Sequence, residues 1–281
     1  MAFDNQTLTS LKKTASKIRQ DIVNMVANAS SGHPGGSLSA ADILTVLYFH
    51  EMQINPNKPE DPNRDRFVLS KGHASPVLYA ALAEKGFFEK EELMTFRKIN
   101  SRLQGHPSKK SLPGVEMSTG SLGQGLSAAN GIALAGKLDK KDYRVFVMLG
   151  DGEIQEGMIW EAAMAAGHFK LDNLTAFLDF NRLQIDGPIN DIMNPEPVDE
   201  KFRAFGWHVL VIDGHDFNQI DDAIQKAKET KDKPTIIIAN TIKGKGVSFM
   251  ENEVGWHGTA PNDEQLQQAL EELMNGGMHN G

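Results

Sequence analysis

The chain has 281 residues, 40% hydrophobic and 23% charged, with 29 Lys+Arg against 37 Asp+Glu for a net charge of −8. That is enough chain for one large α/β domain or two small ones, of ordinary globular composition. The acidic balance argues against a nucleic-acid partner, and no 18-residue apolar run argues for a membrane span. The lack of cysteine excludes disulfides, thiolate metal sites and a thiol nucleophile, and it suits the cytoplasm.

The opening MAFDNQTLTS has neither the basic nor the apolar region of a signal peptide. Residues 7–28 place Leu8, Leu11, Ala15, Ile18, Ile22, Met25 and Val26 on one side of an amphipathic helix. A second helix is expected over 39–49. The stretch NPNKPEDPNRDR, residues 55–66, reads as a polar surface connection. A short strand follows over 67–70, then a helix over 76–84 and a charged helix over 90–99. A small-residue helix spans 123–137. Residues 145–149 form an apolar strand, 154–168 a helix that Gly167 can end, and 174–180 a second strand. After a proline-bearing loop come a strand at 208–213, a helix at 217–229 and a strand at 235–239. The alternation predicts a doubly wound, mainly parallel sheet flanked by helices in a single domain over 1–281. The tail from about residue 275, NGGMHNG, is expected to be disordered.

The strand–helix–strand unit around Gly150-Asp151-Gly152 carries the chemistry. Asp151 follows one strand and Asn181 the next, both at carboxyl ends, where open α/β sheets bind ligands. If the strands are neighbours, a carboxylate and an amide carbonyl come close enough to share a hard cation, with room left for phosphate oxygens. The alternative is that both residues only shape turns, as Asp and Asn often do.

Two phosphate-loop lookalikes fail. In Gly131-Ile-Ala-Leu-Ala-Gly136-Lys137, Leu138 stands where a hydroxyl should coordinate Mg²⁺, and the run lies inside a helix. Gly123-Gln-Gly125-Leu-Ser-Ala128 follows no strand, although its glycines can bring backbone N–H groups to a diphosphate. Six of the nine histidines adjoin glycine: His33, His73, His106, His168, His215 and His257. Each alone reads as a capping or surface residue, but glycine permits close backbone approach to a ligand. His168 and His215 read as structural. Glu156 reads as a helix first-turn carboxylate.

The segment from Gly150 to Gly187 resembles the thiamine diphosphate motif, Gly-Asp-Gly, about 30 residues, then Asn, in the form that transketolases carry. So do Ser31-Gly-His33-Pro-Gly35, Lys71-Gly-His73-Ala-Ser75, Gly105-His106-Pro107, Gly120-Ser-Leu122-Gly-Gln-Gly125 and Trp256-His257-Gly258. The resemblance implies thiamine diphosphate with Mg²⁺, for which Ca²⁺ or Mn²⁺ can substitute. It implies that Asp151, Asn181 and the carbonyl of Leu183 hold the metal. His73, Gly120, Leu122, Gly150, Asp151, Gly152 and Asn181 would contact the cofactor, and His33, His106 and His257 would serve the sugar chemistry. Glu156, with Glu161, would belong to a glutamate cluster linking paired sites. Lys243 and Lys245 would either meet the diphosphate or be solvated loop lysines. Ser121 departs from the proline of many full-length members.

The resemblance covers nearly all of this chain but only the N-terminal part of a transketolase, with no segment for the pyrimidine-binding domain. It therefore implies the N-terminal subunit of a split enzyme, transferring a two-carbon ketol unit between sugar phosphates. The expected partner is a C-terminal subunit with the pyrimidine-binding and C-terminal domains, in a two-plus-two heterotetramer. The alternatives are another thiamine-dependent enzyme, such as an unusual pentose-phosphate ketolase or a 2-oxo acid dehydrogenase component, and a non-catalytic cofactor-binding domain.

Overall fold

The structure is a computed structural model that describes residues 2–279, with side chains described through residue 276. Helix α1 (Asn5–Ala29) opens on Asp4, whose carboxylate accepts from the Thr7 amide, and ends where Ser30 turns left-handed. The expected helix at 39–49 is instead α2 (Pro34–Ser39) and α3 (Ala41–Val46), closed by a π-turn over Leu47–Glu51. Pro34 explains the earlier start: its fixed φ suits the first helical turn. Strand β1 (Arg66–Leu69) leads to α4 (Ser75–Lys85), and α5 (Gln124–Leu138) to β2 (Val145–Gly150). Helix α6 (Gly157–His168) precedes β3 (Leu174–Phe180). A hairpin of β4 (Leu183–Gln184) and β5 (Gly187–Pro188) then leads into α7 (Ile189–Met193) and α8 (Val198–Ala204). The chain closes with β6 (His208–Asp213), α9 (Phe217–Glu229), β7 (Thr235–Asn240) and α10 (Asp263–His279).

The five long strands form one sheet in the order β1-β2-β3-β7-β6, every pair parallel. Side-chain alternation divides the core. Phe146, Met148, Phe177, Ile237 and Ala239 face a cluster built on α1, α3, α4 and α9. Val145, Val147, Leu149, Leu178 and Ile238 face a second cluster under α5, α6 and α8. All seven residues of β3 are buried, as a central parallel strand covered on both faces requires. The doubly wound expectation is met. Among the described residues no helix is long and apolar enough to cross a membrane.

Two local expectations need correction. Residues 90–99 form only a 3-10 turn over Lys90–Thr95, because Arg97 and Asn100 adopt positive φ and stop any helix. The helix expected from 154 begins at Gly157, after a 3-10 turn at Glu153–Gln155 whose Glu153 is drawn inward. Helix α10 reaches into the expected tail as far as His279, with Ala269 and Leu273 docked in the core cluster that α1 also lines. The last two residues of that expected tail lie outside the described residues.

Gly167 does not end α6; it lets the helix touch the chain after α8. A β-carbon there would stand 2.0 Å from the carbonyl oxygen of Phe205. Helix propensity alone would favour alanine by up to ~1 kcal/mol. The clash should outweigh that, so Gly167→Ala is expected to destabilise by about 3 kcal/mol. A urea midpoint at or above wild type would contradict this packing.

Candidate active site

Four adjacent parallel strands deliver polar residues to one edge of the sheet: Ser70 and Lys71 after β1, Asp151 after β2, Asn181 after β3, and Thr241 to Lys243 after β7. The β2–β3 register pairs Gly150 with Asp179, so Asp151 and Asn181 leave the sheet side by side. Asp151 is 3% exposed and Asn181 8%. The Arg182 amide donates to Asp151 Oδ2, and the Leu183 amide donates to Asn181 Oδ1 at 3.2 Å. The two residues expected to meet therefore do so, through the turn that also carries Leu183.

The electrostatics of this corner call for a cation. Burial and the nearby charge of Asp179 push the Asp151 carboxyl up to about 6. The Lys243 ammonium donates to the Leu183 carbonyl at 2.8 Å and lies close enough to Asp151 to oppose that rise. Burial in turn lowers Lys243 to about 8. A carboxylate, an amide oxygen and a backbone carbonyl are the hard oxygen donors that suit Mg²⁺ or Ca²⁺. Asp151, Asn181 Oδ1 and the Leu183 carbonyl are donors of that kind gathered at two adjacent strand ends, so these residues fit the expected metal. Lys243 is 2% exposed, which removes the solvated-loop alternative for it. Lys245 instead pairs with Glu251 at 3.3 Å.

Three imidazoles converge beside this corner. Ring centroids of His33 and His73 lie 5.2 Å apart, those of His33 and His257 5.5 Å, and those of His73 and His257 5.3 Å. Burial and the Arg97 charge lower His33 to about 4, while burial and Lys243 lower His257 to about 3. Burial and Lys71 hold His73 well below its ordinary value. All three rings are thus neutral at pH 7 and keep one N–H each. Lys243 can only donate, and it lies 2.9 Å from His257 Nδ1, so the proton of that ring sits on Nε2. The Arg97 guanidinium stands 3.4 Å from His33 Nδ1 and favours the same tautomer there. His106 is exposed and packs on Gly120, whose φ of 150° no larger residue adopts readily. Leu122 is half-buried and Ser121 exposed on the same loop.

Several residues of this region escaped sequence reasoning. Glu153 is 2% exposed and receives hydrogen bonds from Ser70 Oγ, the Gly123 amide at 2.9 Å and the Gly150 amide at 3.0 Å. One carboxylate thereby ties the loops after β1 and β2 to the turn that starts α5. Beneath Asn181, Asp179 forms a buried ion pair with Lys71 and accepts from Ser39 Oγ at 2.6 Å and from Thr241 Oγ1. Burial alone would raise the Asp179 carboxyl, but Lys71 and these donors hold it below its ordinary value. Arg97 donates to Ser31 Oγ at 2.6 Å beside His33. The only sequence hint to Lys71 was its place before Gly72-His73; Glu153 and Arg97 gave none. Glu156 occupies the N-cap of α6, exposed and without a capping hydrogen bond, where the helix dipole still favours its negative charge. His168 is exposed at the end of α6.

A polar edge of this kind on a doubly wound sheet marks an α/β protein whose ligand site lies at the carboxyl ends of its strands. Residues 10–278 match the family model described as "Transketolase, thiamine diphosphate binding domain", and the chain belongs to that family. It is 47% identical to the 6-deoxy-6-sulfo-D-fructose transketolase subunit of Clostridium sp. (strain MSTE9), over 94% of this chain and 96% of that protein. It is 44% identical to an apulose-4-phosphate transketolase subunit of Phocaeicola vulgatus, over 94% of each. Human transketolase is 45% identical over 96% of this chain, which spans only 43% of that protein. The crystal structure of Campylobacter jejuni transketolase superposes with a TM-score of 0.89 at 39% identity, covering 97% of this chain and 43% of the other. The match to a thiamine diphosphate-binding domain supports the cofactor class, and the full-length coverage of proteins named as subunits agrees with an N-terminal subunit.

Proposed function

We propose that this chain is the diphosphate-binding subunit of a two-chain transketolase, moving a two-carbon ketol unit from a ketose phosphate to an aldose phosphate. The observation that carries the reading is the convergence of neutral His33, His73 and His257 on the Asp151–Asn181–Lys243 corner. Asp151, Asn181 and the Leu183 carbonyl hold Mg²⁺, or Ca²⁺ or Mn²⁺ in its place. Gly120, Leu122, Gly150, Gly152 and His73 line the cofactor, and Lys243 neutralises part of its diphosphate. When bound, thiamine diphosphate supplies the carbon centre that stabilises a carbanion. His33 and His257 present Nε2–H groups that bind sugar hydroxyls and hold protons through the transfer, joined by His106. Glu156 lies at the contact between paired sites. A C-terminal subunit supplies the pyrimidine-binding face, two copies of each chain assemble, and the enzyme works in the cytoplasm.

A second reading concerns only the sugar. The two relatives of nearly equal length are named for 6-deoxy-6-sulfo-D-fructose and apulose 4-phosphate, so the donor here is open to an unusual ketose of that kind.

His33→Ala and His257→Ala are expected to slow transfer by roughly 10²–10⁴-fold, the size of a lost proton-handling group. Affinity for thiamine diphosphate should change far less, whereas His73→Ala should weaken it. Stopped-assay kinetics with the partner chain, beside calorimetry, separate the two effects. Near-wild-type turnover of both the His33 and the His257 variant removes the assignment.

A further inference from the structure

Lys243 is held from behind as well as from the site. Its loop has Ile242 on one side and Lys245 on the other, and both are gripped through one buried carboxylate, Asp42 on α3. Arg19 on α1 donates to Asp42 Oδ1 at 2.8 Å and Oδ2 at 2.6 Å, and its Nε donates to the Lys245 carbonyl at 3.1 Å. His215 Nδ1 lies 2.8 Å from Asp42 Oδ2, while the Ile242 amide donates to His215 Nε2 at 2.9 Å. A backbone amide can only donate, so Nε2 is the unprotonated nitrogen and Nδ1–H donates to Asp42. Arg19 and Asp42 are 8% and 4% exposed. The ammonium of Lys243 reaches the Leu183 carbonyl and His257 Nδ1 from the stretch between these two grips.

We propose that Asp42, acting through His215 and Arg19, is a positioning residue that clamps the 242–245 loop and so aims Lys243 into the active site. The arrangement goes beyond packing. A hydrophobic contact would hold the loop against the core without fixing its rotation. Two directed bonds, one on each side of Lys243, fix both the height and the orientation of its backbone. The Arg19 fork is rigid and bidentate, so the carboxylate that orients His215 is itself oriented. His215, read from sequence as structural, is the link between the ion pair and the loop.

The role of the clamp rests on the reading of Lys243 as a group beside the diphosphate, so one measurement must not depend on the cofactor. In the full chain, amine-reactive labelling of Lys243 is compared with that of Lys71, which is equally buried. His215→Ala should label Lys243 about tenfold faster, the size of one lost buried hydrogen bond, while Lys71 stays protected. His215→Gln, whose amide oxygen can accept from Ile242, should restore protection; His215→Asn, which keeps only the Asp42 contact, should not. With Mg²⁺ present, His215→Ala should also weaken thiamine diphosphate binding about tenfold by calorimetry, and this loss should vanish when Lys243→Met is already in place. If His215→Ala unfolds and exposes Lys71 too, the Gln and Asn variants decide. Equal Lys243 labelling in wild type and His215→Asn, or a loss of affinity that persists beside Lys243→Met, overturns the clamp. A wild-type chain that binds no thiamine diphosphate overturns the cofactor reading instead, and labelling alone then decides for or against the clamp.

Discussion

Replacing Asp151 with alanine is expected to abolish metal-dependent binding of thiamine diphosphate while the chain stays folded. Of the three oxygens placed together at the β2 and β3 ends, only the Asp151 carboxylate carries charge; the Asn181 amide and the Leu183 carbonyl are neutral. A divalent cation between those two and a diphosphate loses the one charged ligand among the three. Removing one partner of a buried ionic contact costs about 3 kcal/mol or more, at least ~100-fold in affinity. The fold should not suffer, and the sign follows from linkage. Burial and Asp179 raise the Asp151 carboxyl from 3.8 to about 6. Its contribution to stability is therefore present below pH 3.8 and lost as pH rises through about 6. At pH 8 the folded chain holds an ill-solvated carboxylate, so the variant should show a urea midpoint equal to or above wild type. In wild type, metal affinity should fall as pH drops through about 6, because protons then compete for the same oxygens. Calorimetry of Mg²⁺ and thiamine diphosphate between pH 5 and 8 tests both parts. Unchanged cofactor affinity in Asp151→Ala would remove the metal assignment.

How much of this site was legible depended on how local its signals are. Asp151 and Asn181 were found because each ends an apolar strand, and a βαβ unit makes those strands parallel neighbours. The histidines were found because each adjoins glycine in a loop. Lys71, Asp179 and Glu153 were not, because their meaning lies in partners brought from far along the chain: Asp179 is 108 residues from Lys71 and 140 from Ser39. Within its own strand Asp179 looks like an interruption of an apolar run, although it is fully buried beneath the site. His215 reads as structural, and its bonds to Asp42 and the Ile242 amide agree, but the carboxylate partner that gives it this place stands 173 residues away. The helix expected at 90–99 failed differently. Its charges have helical spacing, but Arg97 turns left-handed and sends its guanidinium toward Ser31 and His33. A tertiary contact decided the backbone there, against local propensity.

The largest expected effect is the response to a second polypeptide. This 281-residue chain, supplied with thiamine diphosphate, Mg²⁺, a ketose phosphate and an aldose phosphate, should show almost no transfer alone. Full activity should appear when a chain carrying the pyrimidine-binding domain is added. The two relatives that match over 94–96% of their own length are both named as subunits, and this chain spans 43% of human transketolase. The geometry points the same way. Every functional group described stands on one sheet edge and its loops, and His106 and Ser121 there are exposed. Glu156 presents an exposed carboxylate at the start of α6, close to Gly123 on the loop before α5. Along the same helix Met164 is 56% exposed, and Phe169 just beyond it 50%, a surface suited to being covered. A cofactor gripped only at its diphosphate end keeps its reactive carbon in water and free to turn. Orientation and exclusion of water are worth many powers of ten in rate. The lone chain is therefore expected to run at least about 10³-fold slower than the two-chain mixture. Light scattering on that mixture should report a mass of two plus two chains, as two-fold assembly of paired sites requires. Robust turnover by the 281-residue chain without any second polypeptide would refute the two-chain enzyme.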